Sequence, residues 1–284
     1  MMAPFEVENL WKRFGATEAL RGITTRFVKG LNVVLGPNGS GKTTLLKILV
    51  GLTKPSSGKV TSLGMDPVKH SNKILRLVGV FIEGYQLPWW LSGKELAKMM
   101  ASERGTPWSM VKELAEELGV VSYWERAVRS YSSGMRKKVE LLLAFASARE
   151  ALLLDEPFTL LDRNSVNVVS KLIERFSRDI PVIVATHVEA PCIDNADKAI
   201  VLVGGEIVKE VLRGEVPSYV CRVVNLDVFL ESVSKIRDRI DRLDLSRDIA
   251  LLKLRDSRAI ELILGIEDCV PSLRSIVRYE ELLS

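Results

Sequence analysis

Gly36-Pro37-Asn38-Gly39-Ser40-Gly41-Lys42-Thr43, followed by Thr44, decides the fold of this chain. Three glycines let the backbone curl through conformations that a side chain would forbid. The N–H groups of such a curl point inward as an anion nest. Lys42 supplies a mobile charge for the outer phosphates of a nucleotide, and Thr43 offers a hydroxyl to Mg2+. The flanks agree with that chemistry. Leu31-Asn32-Val33-Val34-Leu35 enters the loop as a buried strand, and Thr44–Val50 leaves it with helical apolar spacing, stopped by Gly51. Strand, glycine loop and helix is the order needed, because the helix N-terminus adds its own positive end.

Working outward, short apolar runs alternate with helical stretches through residue 210. Strands are expected at 31–35, 78–82, 151–154, 181–185 and 199–203. They do not alternate with polar residues, so they read as parallel strands buried on both faces. Between 92 and 148 the pattern turns helical, with Gly93–Arg104, Ser109–Leu118 and Ser133–Arg149 forming a lobe beside the sheet. Phe5–Leu10 and Gly22–Val28 read as antiparallel strands. From about residue 213 the pattern changes again. Cys221–Leu226 and Ile249–Leu254 read as strands. Leu230, Val233, Ile236, Ile240 and Leu243 approximate a helical stripe, and Leu273–Leu283 a closing helix.

Composition narrows the class. Hydrophobic residues make up 47% and charged residues 27%, an ordinary balance for a soluble globular chain. No apolar run approaches the ~18–20 residues that span a bilayer, and the first residues lack the basic-then-apolar pattern of a secretion signal. The net charge of +4 is mild, and no nucleic acid is expected as a partner. Cys192, Cys221 and Cys269 read as isolated residues of a reducing compartment, without metal-type spacing. Gln86 is the only glutamine, a scarcity that fits a hot-living source or compositional drift.

A second motif completes the chemistry. Ala151-Leu152-Leu153-Leu154 delivers Asp155 to the end of a buried strand, where it can hold the metal through its water shell. Glu156 follows at once and is placed to polarise an attacking water. Pro157 ends the strand. Val182-Ile183-Val184-Ala185-Thr186 is another buried strand and ends at His187, a hydrogen-bonding group for a terminal phosphate.

These residues together resemble the ATP-binding cassette (ABC) ATPases, over roughly residues 4–212. The family's first motif matches Gly36–Thr43, its metal-and-base motif Leu152–Glu156, and its switch histidine His187. The signature loop, usually Leu-Ser-Gly-Gly-Gln, falls on Tyr131-Ser132-Ser133-Gly134-Met135. Ser132 and Gly134 match, whereas Ser133 and Met135 depart. The resemblance implies that Ser132 and Gly134 contact the γ-phosphate held by an opposite subunit, with Ser133 crowding that approach. The same residues fit a helix-capping turn equally well. The resemblance also puts Asp162 at the dimer-crossing position and Phe14 where an aromatic ring stacks on adenine, with Trp11 second on spacing. Glu83 stands for the usual metal-sensing glutamine, Gln86 being the second choice.

The fold implied is an α/β P-loop NTPase cassette with an antiparallel β subdomain and a helical lobe, plus a small C-terminal α+β appendage. Its expected boundaries are 1–212, with the lobe at about 84–150, and 213–284. The resemblance implies ATP hydrolysis with ATP and Mg2+, and action as a homodimer or with a paired cassette. It implies a separate transmembrane permease, hence a cytoplasmic protein peripheral on the inner face of the membrane. Val80-Phe81-Ile82-Glu83 and Pro271-Ser272-Leu273 resemble subunits of ABC-2 type exporters. The aromatics of Gly84–Leu91 read either as a docking surface for that permease or as lobe core. Two alternatives stand: a non-transport cassette acting on a soluble macromolecular partner, and a cassette that binds ATP with little turnover.

Overall fold

A computed structural model describes residues 3–84, 87–188, 190–213, 219–246, 249–254 and 257–270. Gln86, Pro271-Ser272 and the expected helix Leu273–Leu283 lie outside the described residues. The chain divides into two compact units, Met1–Glu210 and Val211–Ser284, and each has its own buried apolar cluster.

In the first unit, β1 (Phe5–Phe14) and β2 (Thr17–Phe27) form an antiparallel hairpin. Both strands run longer than the sequence pattern indicates. Register shifts between Val7 and Leu10, Leu10 and Lys12, and Lys12 and Arg13 interrupt the alternation that would have revealed them. β3 (Leu31–Leu35) leads through the glycine loop into α1 (Lys42–Leu49). Leu45, Leu46, Ile48 and Leu49 of α1 are fully buried, each contributing about 1.5–3 kcal/mol of apolar burial. β4 (Ser57–Ser62) returns to pair with β1, giving a sheet ordered β2-β1-β4.

α2 (Pro67–Leu77), capped by Asp66, then feeds β5 (Val78–Phe81). The lobe follows as α3 (Gly93–Arg104), α4 (Trp108–Glu117) and α5 (Ser133–Ser147). Ser92 and Glu95 start α3 with a reciprocal capping box. β6 (Ala151–Asp155), α6 (Arg163–Ser177), β7 (Val182–Thr186), β8 (Lys198–Val203) and β9 (Glu206–Leu212) complete the unit. The main sheet is ordered β5-β6-β7-β3-β8-β9. Its first five strands are parallel neighbours, so their carboxyl ends share one edge. In such sheets ligands bind beyond that edge.

The second unit holds β10 (Tyr219–Val223), α7 (Leu226–Lys235), β11 (Ile240–Ser246), β12 (Ile249–Leu254) and β13 (Ile266–Val270). The strands are ordered β11-β12-β10-β13. Two expectations are corrected here. The strand beginning at Cys221 stops at Val223, because Asn225 caps a helix: its Oδ1 accepts from Val228 N–H at 3.1 Å. The apolar stripe Leu230–Leu243 is helical only to Lys235, and Ile240 and Leu243 belong to β11. A register shift between Ile240 and Arg242 interrupts the strand alternation, so Ile240 and Leu243, three apart in sequence, imitate a helical step.

The cysteines are also corrected, since Cys221 is disulfide-bonded while Cys192 is free and buried. Cys221 lies on β10, beside β13, which carries Cys269. Long-range strand pairing of this kind leaves no trace in sequence spacing.

Candidate functional site

The glycine loop emerges from β3 and packs against the β1–β2 hairpin and β8. Gly36 has φ 154° and Gly41 φ 105°. A Cβ at Gly36 would lie 2.1 Å from Leu202 O, and one at Gly41 would lie 2.5 Å from Ala19 O. Both positions therefore need glycine for close approach as well as for conformation. Gly39 (φ 81°) instead faces open space. Pro37 O accepts from Ser40 N–H at 3.3 Å, and Gly41 stands at the N-terminus of α1. The free N–H groups of that first helical turn carry the partial positive charge that suits a phosphate. Asn38 and Thr44 lie on either side of these turns, in the loop and on α1 respectively.

Lys42 is 5% exposed and folds back over the loop, where its ammonium donates to Gly36 O at 2.7 Å and Pro37 O at 3.0 Å. It also stands 3.2 Å from Glu156 Oε1. His187 Nδ1 approaches the same oxygen at 2.8 Å, and His187 N–H donates to Glu156 Oε2 at 3.3 Å. The two contacts to Oε1 are close but lack hydrogen-bond geometry, and the one from Lys42 is an ion pair. Glu156 itself has φ 50°, a left-handed conformation that costs a non-glycine residue about 1–3 kcal/mol. Its N–H donates to Ala185 O at 2.7 Å, which pins the turn to β7.

Asp155 ends β6, fully buried, and accepts from the Thr43 hydroxyl at 2.7 Å through Oδ2. Burial pushes its carboxyl pKa up, the Thr43 hydrogen bond works against that, and Glu156 adds to the rise. Asp155 Oδ1 and Ser40 Oγ are buried without a hydrogen-bond partner beside the loop. An unspent carboxylate oxygen next to a threonine hydroxyl is the donor set that Mg2+ takes. Among the described residues no group of three or more His, Cys, Asp or Glu side chains could hold a metal ion. A metal at Thr43 and Asp155 would then complete its shell with water and phosphate oxygens, as Mg2+ prefers.

Glu83 follows β5 in an exposed turn. Its charge raises the pKa of Asp155 and opposes the fall at Lys137. Lys137 was not singled out by the sequence. Burial pushes its ammonium pKa down, and Glu83, then Glu156, Glu140 and Asp155, resist. Phe14 ends β1 as an exposed ring with Lys12 Nζ 4.5 Å from its centroid, and Trp11 Nε1–H is committed to Asn9 Oδ1 at 3.0 Å.

Ser132, Gly134 and Asp162 form a second group. Ser132 caps α5 by accepting from Met135 N–H at 3.2 Å. Asp162 caps α6, accepting from Ser165 N–H at 2.9 Å and the Ser165 hydroxyl at 2.8 Å. A Cβ at Gly134 would lie 3.1 Å from Leu160 O, so the loop between Glu156 and Asp162 passes directly under the start of α5. Tyr131, buried, anchors this loop to the lobe: its hydroxyl donates to Arg126 O at 2.8 Å and accepts from Gly93 N–H at 3.0 Å.

A parallel sheet with a glycine loop at one strand end and an acidic pair at another defines a phosphate-loop nucleotide hydrolase. Comparison with known proteins sharpens the class. The ABC transporter family model matches residues 20–159. The uncharacterized ABC transporter ATP-binding protein YdbJ of Bacillus subtilis is 33% identical over 215 residues, covering 72% of this chain and 68% of that protein. The daunorubicin/doxorubicin resistance ATP-binding protein DrrA of Streptomyces peucetius is 28% identical over 277 residues, covering 95% and 83%. A solved ATP-binding subunit of an ABC transporter superposes with a TM-score of 0.67 at 21% identity, over 74% of this chain and 90% of that one. The chain belongs to the ATP-binding subunits of ABC transporters, an ATP-hydrolysing family. Among the described residues no helix is long and apolar enough to cross a membrane.

Proposed function

We propose that this chain is the ATP-driven subunit of an ABC-2 type exporter, peripheral on the cytoplasmic face of a membrane and acting on a separate permease. The observation that carries the chemistry is the meeting of Lys42 and His187 at one oxygen of Glu156, beside the glycine loop. In this reading the loop N–H groups and Lys42 hold the β- and γ-phosphates of ATP. Thr43 and Asp155 would hold Mg2+, with Glu83 adding negative charge to the same neighbourhood; when bound, the ion would supply positive charge against the charge developing on phosphoryl oxygens. Glu156 takes a proton from water as its oxygen bonds to the γ-phosphorus. The bond from that phosphorus to the β–γ bridging oxygen breaks, and ADP and phosphate leave. His187 contacts the γ-phosphate, and Phe14 stacks on adenine.

Residues 1–212 carry this chemistry, and 213–284 form the appended unit. Two copies, or one copy and a sibling, close on ATP with Ser132 and Gly134 of one facing the loop of the other and Asp162 at the seam. Closure on ATP and opening after hydrolysis is the motion delivered to the permease.

The surface of the lobe supports docking to a permease, and a relative supports the export type. Trp89 and Trp90 are 57% and 62% exposed and pack edge to face, so they are surface and not lobe core. A groove of about 280 Å³, which Leu87 of the same segment helps to line with Leu75, Phe81, Leu143 and Glu140, fits an apolar helix from a permease. The match to DrrA also reaches past the cassette into the second unit.

The test is co-expression with the multi-span membrane protein encoded nearest to this chain. Copurification and Mg2+-dependent ATP hydrolysis are expected, and both should weaken when Trp89 and Trp90 become alanine. Hydrolysis that ignores the permease and those tryptophans would refute the transport reading. Exposed Ser133 at the first position of α5 favours the second reading, a cassette of low turnover.

A further inference from the structure

Lys137 occupies the basic first turns of α5, where a lysine ordinarily reaches water. Here it is 4% exposed. Its ammonium donates to Glu156 O at 2.6 Å and to the hydroxyl oxygen of Thr159, and it lies 5.3 Å from the centre of the Phe81 ring. Thr159 closes the arrangement, its own hydroxyl donating to Glu156 O at 3.1 Å. The carbonyl so held belongs to the residue with the left-handed φ of 50°. Two close approaches lie nearby: a Cβ at Gly134 would come within 3.1 Å of Leu160 O, and Lys138 Nζ stands 3.8 Å from Asp162 Oδ2. The first turns of α5 thus meet the segment from Glu156 to Asp162 at three places.

A buried ammonium is costly unless it is paired. An apolar side chain of similar length would fill the same volume without that cost. What such a side chain could not do is hold the Glu156 carbonyl while the carboxylate points the other way, to Lys42 and His187.

We infer that Lys137 is a positioning residue for Glu156, clamping its main chain from the helix that starts at Ser132-Ser133-Gly134, so that movement of that helix is felt at the hydrolytic carboxylate. The inference rests on the reading of Glu156 as the group that takes the proton from water.

The experiment compares steady-state hydrolysis and ATP affinity in the full-length protein for Lys137→Met, Lys137→Arg, Glu156→Gln and the double variant Lys137→Met/Glu156→Gln. Lys137→Met is expected to lower kcat at least about tenfold while the Kd for ATP moves less than about twofold. Lys137→Arg, which keeps a cation and its donors, should recover a large part of the loss. In the Glu156→Gln background, Lys137→Met should remove almost nothing more, because two groups acting as one unit are not additive. Wild-type kcat in Lys137→Met, or losses that multiply in the double variant, would overturn the inference. If Glu156→Gln turns over like wild type, the reading of Glu156 fails first, and the two failures are told apart. Should Lys137→Met not fold, Lys137→Gln serves in its place: a kcat loss at unchanged affinity supports the clamp, and a wild-type kcat overturns it.

Discussion

Lys42 and Glu156, which come from different motifs, form an ion pair at 3.2 Å with side chains only 5% and 8% exposed. The same ammonium is the group that would meet the outer phosphates of ATP. In the proposed reading, nucleotide binding would therefore exchange one anionic partner of Lys42 for another and would free Glu156 for water. Lys42→Ala removes charge-assisted hydrogen bonds of about 1.5–3 kcal/mol, so ATP affinity should fall about 10- to 150-fold. A fluorescent-nucleotide titration measures this directly, and an unchanged Kd would contradict the phosphate role.

Glu156→Gln keeps the shape of the site but cannot take a proton. Turnover should fall about 100- to 10,000-fold, as for loss of a general base, with ATP binding retained. With hydrolysis blocked, an ATP-closed pair should persist and appear as a dimer by light scattering. Normal turnover in this variant would remove Glu156 from the chemistry.

Glu83→Gln deletes a negative charge that acts on both Asp155 and Lys137. The carboxylate field favours a bound cation, so the variant should need more Mg2+ for half-maximal hydrolysis, by about threefold for a screened charge near the surface. A magnesium titration of ATPase rate decides the matter; superimposable curves would show that Glu83 does not tune the metal.

Ser133→Gly restores the residue usual at that place in the signature loop. Ser133 is exposed at the start of α5, and in the proposed pair it would face the partner's nucleotide. If that crowding costs about 1–2 kcal/mol, ATP-driven pairing of Ser133→Gly/Glu156→Gln should be about 5- to 30-fold tighter than that of Glu156→Gln alone. Equal dimer affinities would show that Ser133 does not crowd the partner's nucleotide.

How much of this could be read from the chain depends on how local each feature is. The glycine loop, Asp155-Glu156 and His187 sit at the ends of uninterrupted apolar strands, so a contiguous string of residues carries both the element and the chemistry. The strands 31–35 and 78–81 and the helix Gly93–Arg104 were legible for the same reason. Lys137 was not, because a lysine in a basic helical turn carries no sign that the chain will fold Thr159 and Phe81 over it. Cys221 was not, because its environment is made by strands distant in sequence. Ile240 and Leu243 misled, because a bulge changed the strand period to a helical one. The exposure of Trp89 and Trp90 depends on lobe packing, which a pair of adjacent aromatics does not encode.

Asp162 offers a test that separates its two readings by pH. Its carboxyl pKa is held below the ordinary 3.8 chiefly by the Ser165 backbone N–H, then by the Ser165 hydroxyl, with slight opposition from burial and a small further push from Lys138. A carboxyl depressed in the folded state contributes stability that is complete above its unfolded pKa and disappears as pH falls through the folded value. Asp162→Asn keeps an acceptor for the Ser165 N–H but does not titrate. Urea unfolding from about pH 6 down to about pH 2 should therefore show the wild type losing stability more steeply than Asp162→Asn in the acid range, with parallel curves above about pH 5. If the two curves run parallel throughout, the carboxylate is not committed to the α6 cap and is free to face a partner across the seam. If they diverge as expected, the carboxylate is committed to the α6 cap, and any contact across the proposed seam would have to be made by Asp162 while Ser165 still holds it.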